Sequence, residues 1–265
     1  LYGEFYQLDL EMSFVDEEDV YEVGQKIFYN IFTHFSDKEV SPIPFKRIPY
    51  KEAMLKYGSD KPDLRNPLLI EDLTAILSKS TFEPFKTLNI RGIKVDNIDK
   101  SNSWYKKIEE YIKSLGATGM SYIKVNEDMT FKSSIDKFLT DDLRKELIEK
   151  CHLNKGSALF ILADNKHKID KLAGLLRTKL GNELDLINKN KFEFCIINDF
   201  PMYEYNEEEN TWDFGHNPFS MPKGGIEALT KENMENVVAH QFDFVCNGYE
   251  MASGAVRNHN IEIMK

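Results

Sequence analysis

The chemically informative spacing in this chain is a pair of carboxylates flanking an Asn-Gly dipeptide. They are Asp243 and Glu250, within QFDFVCNGYEMASGAVRNHN at 241–260. Asn-Gly between apolar runs predicts a two-residue hairpin turn, because both turn positions need φ > 0. With Asn247 and Gly248 in the turn, Val245 faces Glu250 and Asp243 faces Ala252. The two acids are then diagonal neighbours on one face, within reach of one hard cation. An all-oxygen pair of this kind suits Mg²⁺ bound to a phosphate. Uninterrupted alternation puts Arg257 on the opposite face, and a bulge among Ala252, Ser253, Gly254 and Ala255 returns it to the same side. A surface hairpin with scattered charges satisfies the same spacing, and spacing alone leaves both readings open.

A second group of polar residues lies near the start. From Tyr6 onward the chain alternates, with Tyr6, Leu8, Leu10, Met12 and Phe14 on one face and Gln7, Asp9, Glu11 and Ser13 on the other. That period of two predicts a half-buried strand. In the same sheet as the hairpin, it would join Gln7, Asp9 and Glu11 to Asp243, Glu250 and Arg257 on one polar face. Such a face is costly as scaffold and suits a cation, a phosphate and a zwitterionic ligand. The six histidines show no metal-ligand spacing, which argues against zinc. His216 stands apart in FGHNPF at 214–219, a Gly- and Pro-punctuated loop able to cover a pocket. There is no Ser-His-Asp order, glycine-rich phosphate loop or dinucleotide fingerprint.

The elements that must position these residues can be read from caps and periodicity. A helix is predicted from Asp16, an N-cap followed by Glu17, Glu18 and Asp19, with Val20, Val23, Ile27, Ile31 and Phe35 as its apolar stripe. YGSDKPDLRN at 57–66 is a charged, turn-rich loop. From about residue 79 short strands alternate with capped helices. Ile90–Val95 is a strand, and a helix from Ser101 carries Trp104, Ile108, Ile112 and Leu115 and ends at Gly116. Strand Gly119–Val125, a helix from Thr140 to Cys151, strand Ser157–Ala163 and helix Lys166–Leu180, closed by Gly181, complete a βαβα rhythm. Sheet-like sequence returns at FEFCII, 192–197, before a turn at 198–201, a polar excursion at 206–212, a loop-helix connection at 224–236 and the closing hairpin.

Composition sets outer bounds. The chain has 265 residues, a net charge of −10 and 42% hydrophobic residues, which is ordinary for a globular protein. The acidic balance argues against broad nucleic-acid affinity, so any RNA contact would be local. Cys151, Cys195 and Cys246 form no CxxC pair and read as reduced core thiols. No apolar run approaches a membrane span, and nothing at the start reads as a signal or transit peptide. The chain opens on Leu1-Tyr2-Gly3 without methionine, inside strand-like sequence, and the expectation is a fragment of a longer protein.

GEFYQLDLEMSF, YGSDKPDLRNPL, YIKVNE, DFPM, GHNPF with SMPK, and NGYEMASGAVRNHN together resemble bacterial-type aspartyl-tRNA synthetases across essentially the whole chain. YGSDKPDLR is specific to that family, whereas NGYE…VR is shared with asparaginyl and lysyl enzymes. The resemblance implies an α+β fold, the class II antiparallel sheet flanked by helices and interrupted by an inserted α/β domain. It implies catalytic-domain segments at 1–78 and 191–265 around an insert at 79–190. Residues 1–14 would be the second strand of motif 2, with the anticodon-binding domain and motifs 1 and 3 outside the chain. By the same resemblance, Asp9 would hold the ammonium of L-aspartate and Gln7 would line that pocket. Asp243 and Glu250 would hold Mg²⁺ on ATP, with Ser253 as a further ligand; Arg257 would grip the substrate's side-chain carboxylate, and His216 would sit on the loop above it. Asn217 stands where many members have a second histidine, and Leu1-Tyr2 stand near a glutamine that reads ATP. The implied partners are tRNA(Asp), with tRNA(Asn) as an alternative, and a second copy in a homodimer, in the cytoplasm and away from membranes. The competing reading is a non-catalytic fragment or paralogue that binds tRNA or a partner through the insert.

Overall fold

A computed structural model describes residues 3–4, 6–206, 209–215 and 217–264, with the backbone alone at 231–233. Helix α1 spans Glu17–Phe35, started by an Asp16 capping box in which Asp16 and Asp19 satisfy each other's backbone N–H groups. Strands β1 (Glu39–Val40) and β2 (Lys46–Pro49), helix α2 (Tyr50–Tyr57), β3 (Ile70–Asp72) and α3 (Thr74–Leu77) follow. Next come β4 (Asn89–Val95), α4 (Asn102–Ser114), β5 (Met120–Val125), β6 (Phe131–Lys132), α5 (Asp141–Cys151), β7 (Ala158–Asp164) and α6 (Lys166–Glu183). The chain closes with β8 (Lys191–Phe192), β9 (Phe194–Asn198), β10 (Tyr203–Asn206), β11 (Thr211–Phe214), β12 (Gln241–Cys246), β13 (Tyr249–Ala255) and α7 (Ile261–Met264).

Two larger sheets organise the core. The first runs β13-β12-β9-β2. Its α1 side buries Phe194, Ile196, Phe242, Phe244 and Cys246 against Tyr21, Phe28 and Phe32. Its other side buries Ile48, Cys195, Ile197 and Val245 against Ala53 and Tyr57 of α2. Both faces are covered, so all six positions of β12 are buried, and the apolar run QFDFVC carries one carboxylate into the interior. The second sheet runs β3-β4-β7-β5-β6, with α4 and α6 on one face and α3 and α5 on the other.

Most predicted elements appear, and five features differ from the expectation. All pairings in the second sheet are antiparallel, so the βαβα rhythm does not make a parallel sheet. The reason is that β7 enters between β4 and β5, splitting the β4-α4-β5 unit. That sheet also includes β3, upstream of residue 79. The buried face of α1 is Tyr21 and Gln25 with Phe28 and Phe32, while Ile31 and Phe35 stay exposed. Helix α6 passes through Gly181 instead of stopping there, because a Cβ at Gly181 would lie 2.3 Å from the Asn66 amide. Finally, residues 6–12 form no strand, and Tyr6 and Leu8 are exposed, because an extended segment becomes a strand only when a neighbour takes its N–H and C=O groups.

Candidate functional site

The Asn247-Gly248 turn forms as its sequence predicts, with φ of 54° and 89° at the two residues. Val245 pairs with Glu250, and one bulge then shifts the register so that Phe244 meets Ala252 and Asp243 meets Ser253. The extra residue is Met251, just before the small-residue run expected to hold the bulge; Asp243 therefore faces Ser253, not Ala252. Asp243, Ser253 and Glu250 share the face of the sheet that carries Val245. Alternation onward from Ser253 carries Arg257 to that face as well.

Asp243 is 4% exposed in a strand that is otherwise nearly all apolar. Burial pushes its carboxyl up to about 7; the charges of Glu250 and Asp60 add to the rise and Lys61 opposes it. Lys61 Nζ lies 3.3 Å from Glu250 Oε2 and 2.8 Å from Asp60 Oδ2. The 57–66 loop thus brings a cation to the edge of the acid pair. Among the described residues no three His, Cys, Asp or Glu side chains gather as a metal set. Two carboxylates nevertheless fit Mg²⁺, which takes one or two from the protein and the rest of its oxygens from phosphate and water. A buried carboxyl whose ionisation is penalised is the group a divalent cation would relieve.

Arg257 stands at the far end of the hairpin. Its Nη2 donates to Glu11 Oε1 at 2.9 Å, both side chains being about four-fifths exposed. The SMPK segment runs between the hairpin's end and residue 240: Met221 N donates to Val256 O, His240 N to Met221 O, and Ser220 bridges Arg257. The Ser220 hydroxyl is buried there without a hydrogen-bond partner. Gln7 Nε2 donates to Asp9 Oδ1 at 2.6 Å on the exposed segment, where Glu11 is the residue that reaches Arg257. His216 lies outside the described residues.

Asp60, Lys61 and Ser220 belong to this neighbourhood, and the sequence reading gave them no role. The signal for the first two was YGSDKPDLR itself, but no spacing rule connects a loop at 57–66 with a hairpin at 241–255. For Ser220 there was no signal beyond its place beside the GHNPF loop.

The sequence matches, over residues 2–265, the family described as "tRNA synthetases class II (D, K and N)". It is 48% identical to the aspartate–tRNA(Asp/Asn) ligase of Rickettsia bellii (strain OSU 85-389), over 99% of this chain and 45% of that protein. The ligases of the same name from Rickettsia prowazekii (strain Madrid E) and Ehrlichia chaffeensis (strain ATCC CRL-10679 / Arkansas) are 47% and 46% identical, with the same coverage. The chain therefore spans a little under half the length of the curated relatives it matches, and it belongs to the class II tRNA synthetases of the D, K and N group.

Proposed function

We propose that this member of the class II tRNA synthetases is part of an aspartate–tRNA ligase, which activates L-aspartate with ATP and transfers it to tRNA. One observation carries the reading: Asp243 is buried beside Glu250 on the face that leads to Arg257. In this reaction the α-carboxylate of aspartate attacks the α-phosphorus of ATP, the bond to the bridging oxygen breaks, and pyrophosphate leaves. A ribose hydroxyl of tRNA then attacks the aspartyl carbonyl and releases AMP. Neither step needs a protein nucleophile, so positioning and charge neutralisation do the work.

Asp243 and Glu250, with the Ser253 hydroxyl beside them, would hold Mg²⁺, which neutralises phosphate charge when bound. Arg257, which holds the Glu11 carboxylate, would instead fork onto the side-chain carboxylate of aspartate. Asparagine would leave that guanidinium without its charge partner, a mismatch worth on the order of several kcal/mol. Asp9, which accepts a hydrogen bond from Gln7, would take the substrate ammonium, Gln7 would line that pocket, and His216 would sit on the loop above the amino acid. The substrate tRNA is tRNA(Asp), alone or with tRNA(Asn), and the whole enzyme is a homodimer. Three free, buried cysteines and the absence, among the described residues, of any helix able to cross a membrane are consistent with a cytoplasmic setting. Residues 79–190, whose sheet β3 joins from upstream, would be the insert within a catalytic domain at 1–78 and 191–265.

In the complete enzyme, Arg257→Lys is expected to lower aspartate-dependent pyrophosphate exchange by about 100-fold or more, because lysine offers a point charge in place of a fork. Exchange within about threefold of wild type would remove Arg257 from the aspartate pocket.

A further inference from the structure

Arg177 of α6 is 2% exposed and, among the described residues, forms no ion pair with a carboxylate. Its Nε donates to Leu68 O at 2.6 Å, and its Nη2 to Asp63 O and Asn66 O at 2.9 and 2.7 Å. The guanidinium also lies 5.1 Å from the centre of the Tyr57 ring. Three carbonyls of the 57–68 connection are thus tied to one rigid fork inside the protein. Asn66 returns the contact, donating from Nδ2 to Arg177 O at 3.0 Å.

The backbones close in on both sides of this bond set. A Cβ on Gly174 would lie 2.4 Å from Gly58 O, and one on Gly58 would lie 2.3 Å from Asp170 O. Gly181 meets Asn66 one turn beyond Arg177. On its opposite side the loop abuts the hairpin turn, where a Cβ on Gly248 would lie 3.8 Å from Lys61 O. The loop therefore sits between α6 and the β12–β13 turn, and at its tip Lys61 bridges Asp60 and Glu250. A buried guanidinium whose hydrogen bonds, among the described residues, go to backbone carbonyls is a costly way to pack a loop, but its fork fixes several carbonyls at once.

We propose that α6 is a positioning element for the cation site: through Arg177 and Asn66 it holds the 57–66 loop so that Lys61 stands against Glu250. Lys61 balances Glu250 until a divalent cation arrives, and the α6 anchor sets how firmly it competes. This rests on the reading that Asp243 and Glu250 hold a cation, and it makes Arg177 a residue that acts on the site through the loop.

The test uses the complete enzyme and Mn²⁺ alone, with binding followed by the loss of the free-ion electron paramagnetic resonance signal. Lys61→Met is expected to tighten Mn²⁺ binding about fivefold at low salt, because a neighbouring positive charge is removed. Arg177→Met is expected to shift affinity in the same direction and to speed amide hydrogen exchange across residues 59–66. The double variant should bind no more than about twofold tighter than Lys61→Met. Gly181→Ala, which displaces the Asn66 side chain but leaves Arg177, serves if Arg177→Met does not fold and should show the same pair of changes. Faster exchange with unchanged affinity in both anchor variants overturns the proposal, as does unchanged affinity in Lys61→Met. A wild-type enzyme that binds Mn²⁺ no more tightly than an Asp243→Asn, Glu250→Gln variant refutes the cation site itself. Normal cation binding with an inert Lys61 refutes the role of the loop alone.

Discussion

A carboxyl raised from 3.8 to about 7 by burial is a liability to the empty fold at neutral pH. The folded state binds that proton more tightly than the unfolded chain does. Its stabilising contribution is therefore complete below about pH 4 and is lost as pH rises through about 7. Asp243→Asn, measured in chelator, should raise Tm by a few degrees at pH 8 and change it much less at pH 5. An equal effect at both pH values would show that ionisation of Asp243 carries no penalty. The shared face of Asp243 and Glu250 was legible because Asn-Gly sets the register of the residues that flank it. The bulge was legible only as a need, since nothing in the side chains distinguishes Met251 from Ala252 as the extra residue. Lys61 was illegible in this role, because its place beside Glu250 depends on packing between segments far apart in sequence.

At the scale of elements, caps proved more informative than stripes. Asp16, Ser101 and Thr140 each cap a helix as local chemistry dictates, because a cap needs only its own next turn. The face of α1 depends instead on what the sheet presents, and the sheet presents Phe194, Phe242 and Phe244. Aromatic rings from the helix meet them, Gln25 accepts a hydrogen bond from Phe45 N at 2.9 Å, and Gly24 makes room for the Phe244 ring. Counting aliphatic residues selected the neighbouring stripe. A Cβ at Gly24 would lie 2.5 Å from Phe244 Cζ, so Gly24→Ala must lift α1 or turn that ring. We expect a loss of about 1–3 kcal/mol in chemical denaturation despite the better helix propensity of alanine. A gain in stability would mean that α1 does not pack on Phe244 as described.

For the molecule as a whole, the alternation of strands and helices begins at about residue 79 in the sequence, whereas the five-stranded sheet takes in β3, Ile70–Asp72. Leu68, Ile70, Leu73 and Leu77 are buried in the cores of the five-stranded sheet, although the local pattern assigned them to the flanking segment. Excision of 79–190 with a short linker should leave these side chains exposed and give an aggregating product that binds a hydrophobic dye. Excision of 68–190 should give more soluble protein, with comparative yields deciding between the two boundaries. The parallel pairing of β2 with β9 has a different consequence, one of timing. Lys46 lies beside Cys195, a closure on the order of 150 residues around. If the intervening sheet and helices fold first, they bring the two strands' flanking segments together and turn a long, slow closure into a short one. The second sheet would then act as an internal clamp during synthesis, and refolding of the first should wait on it.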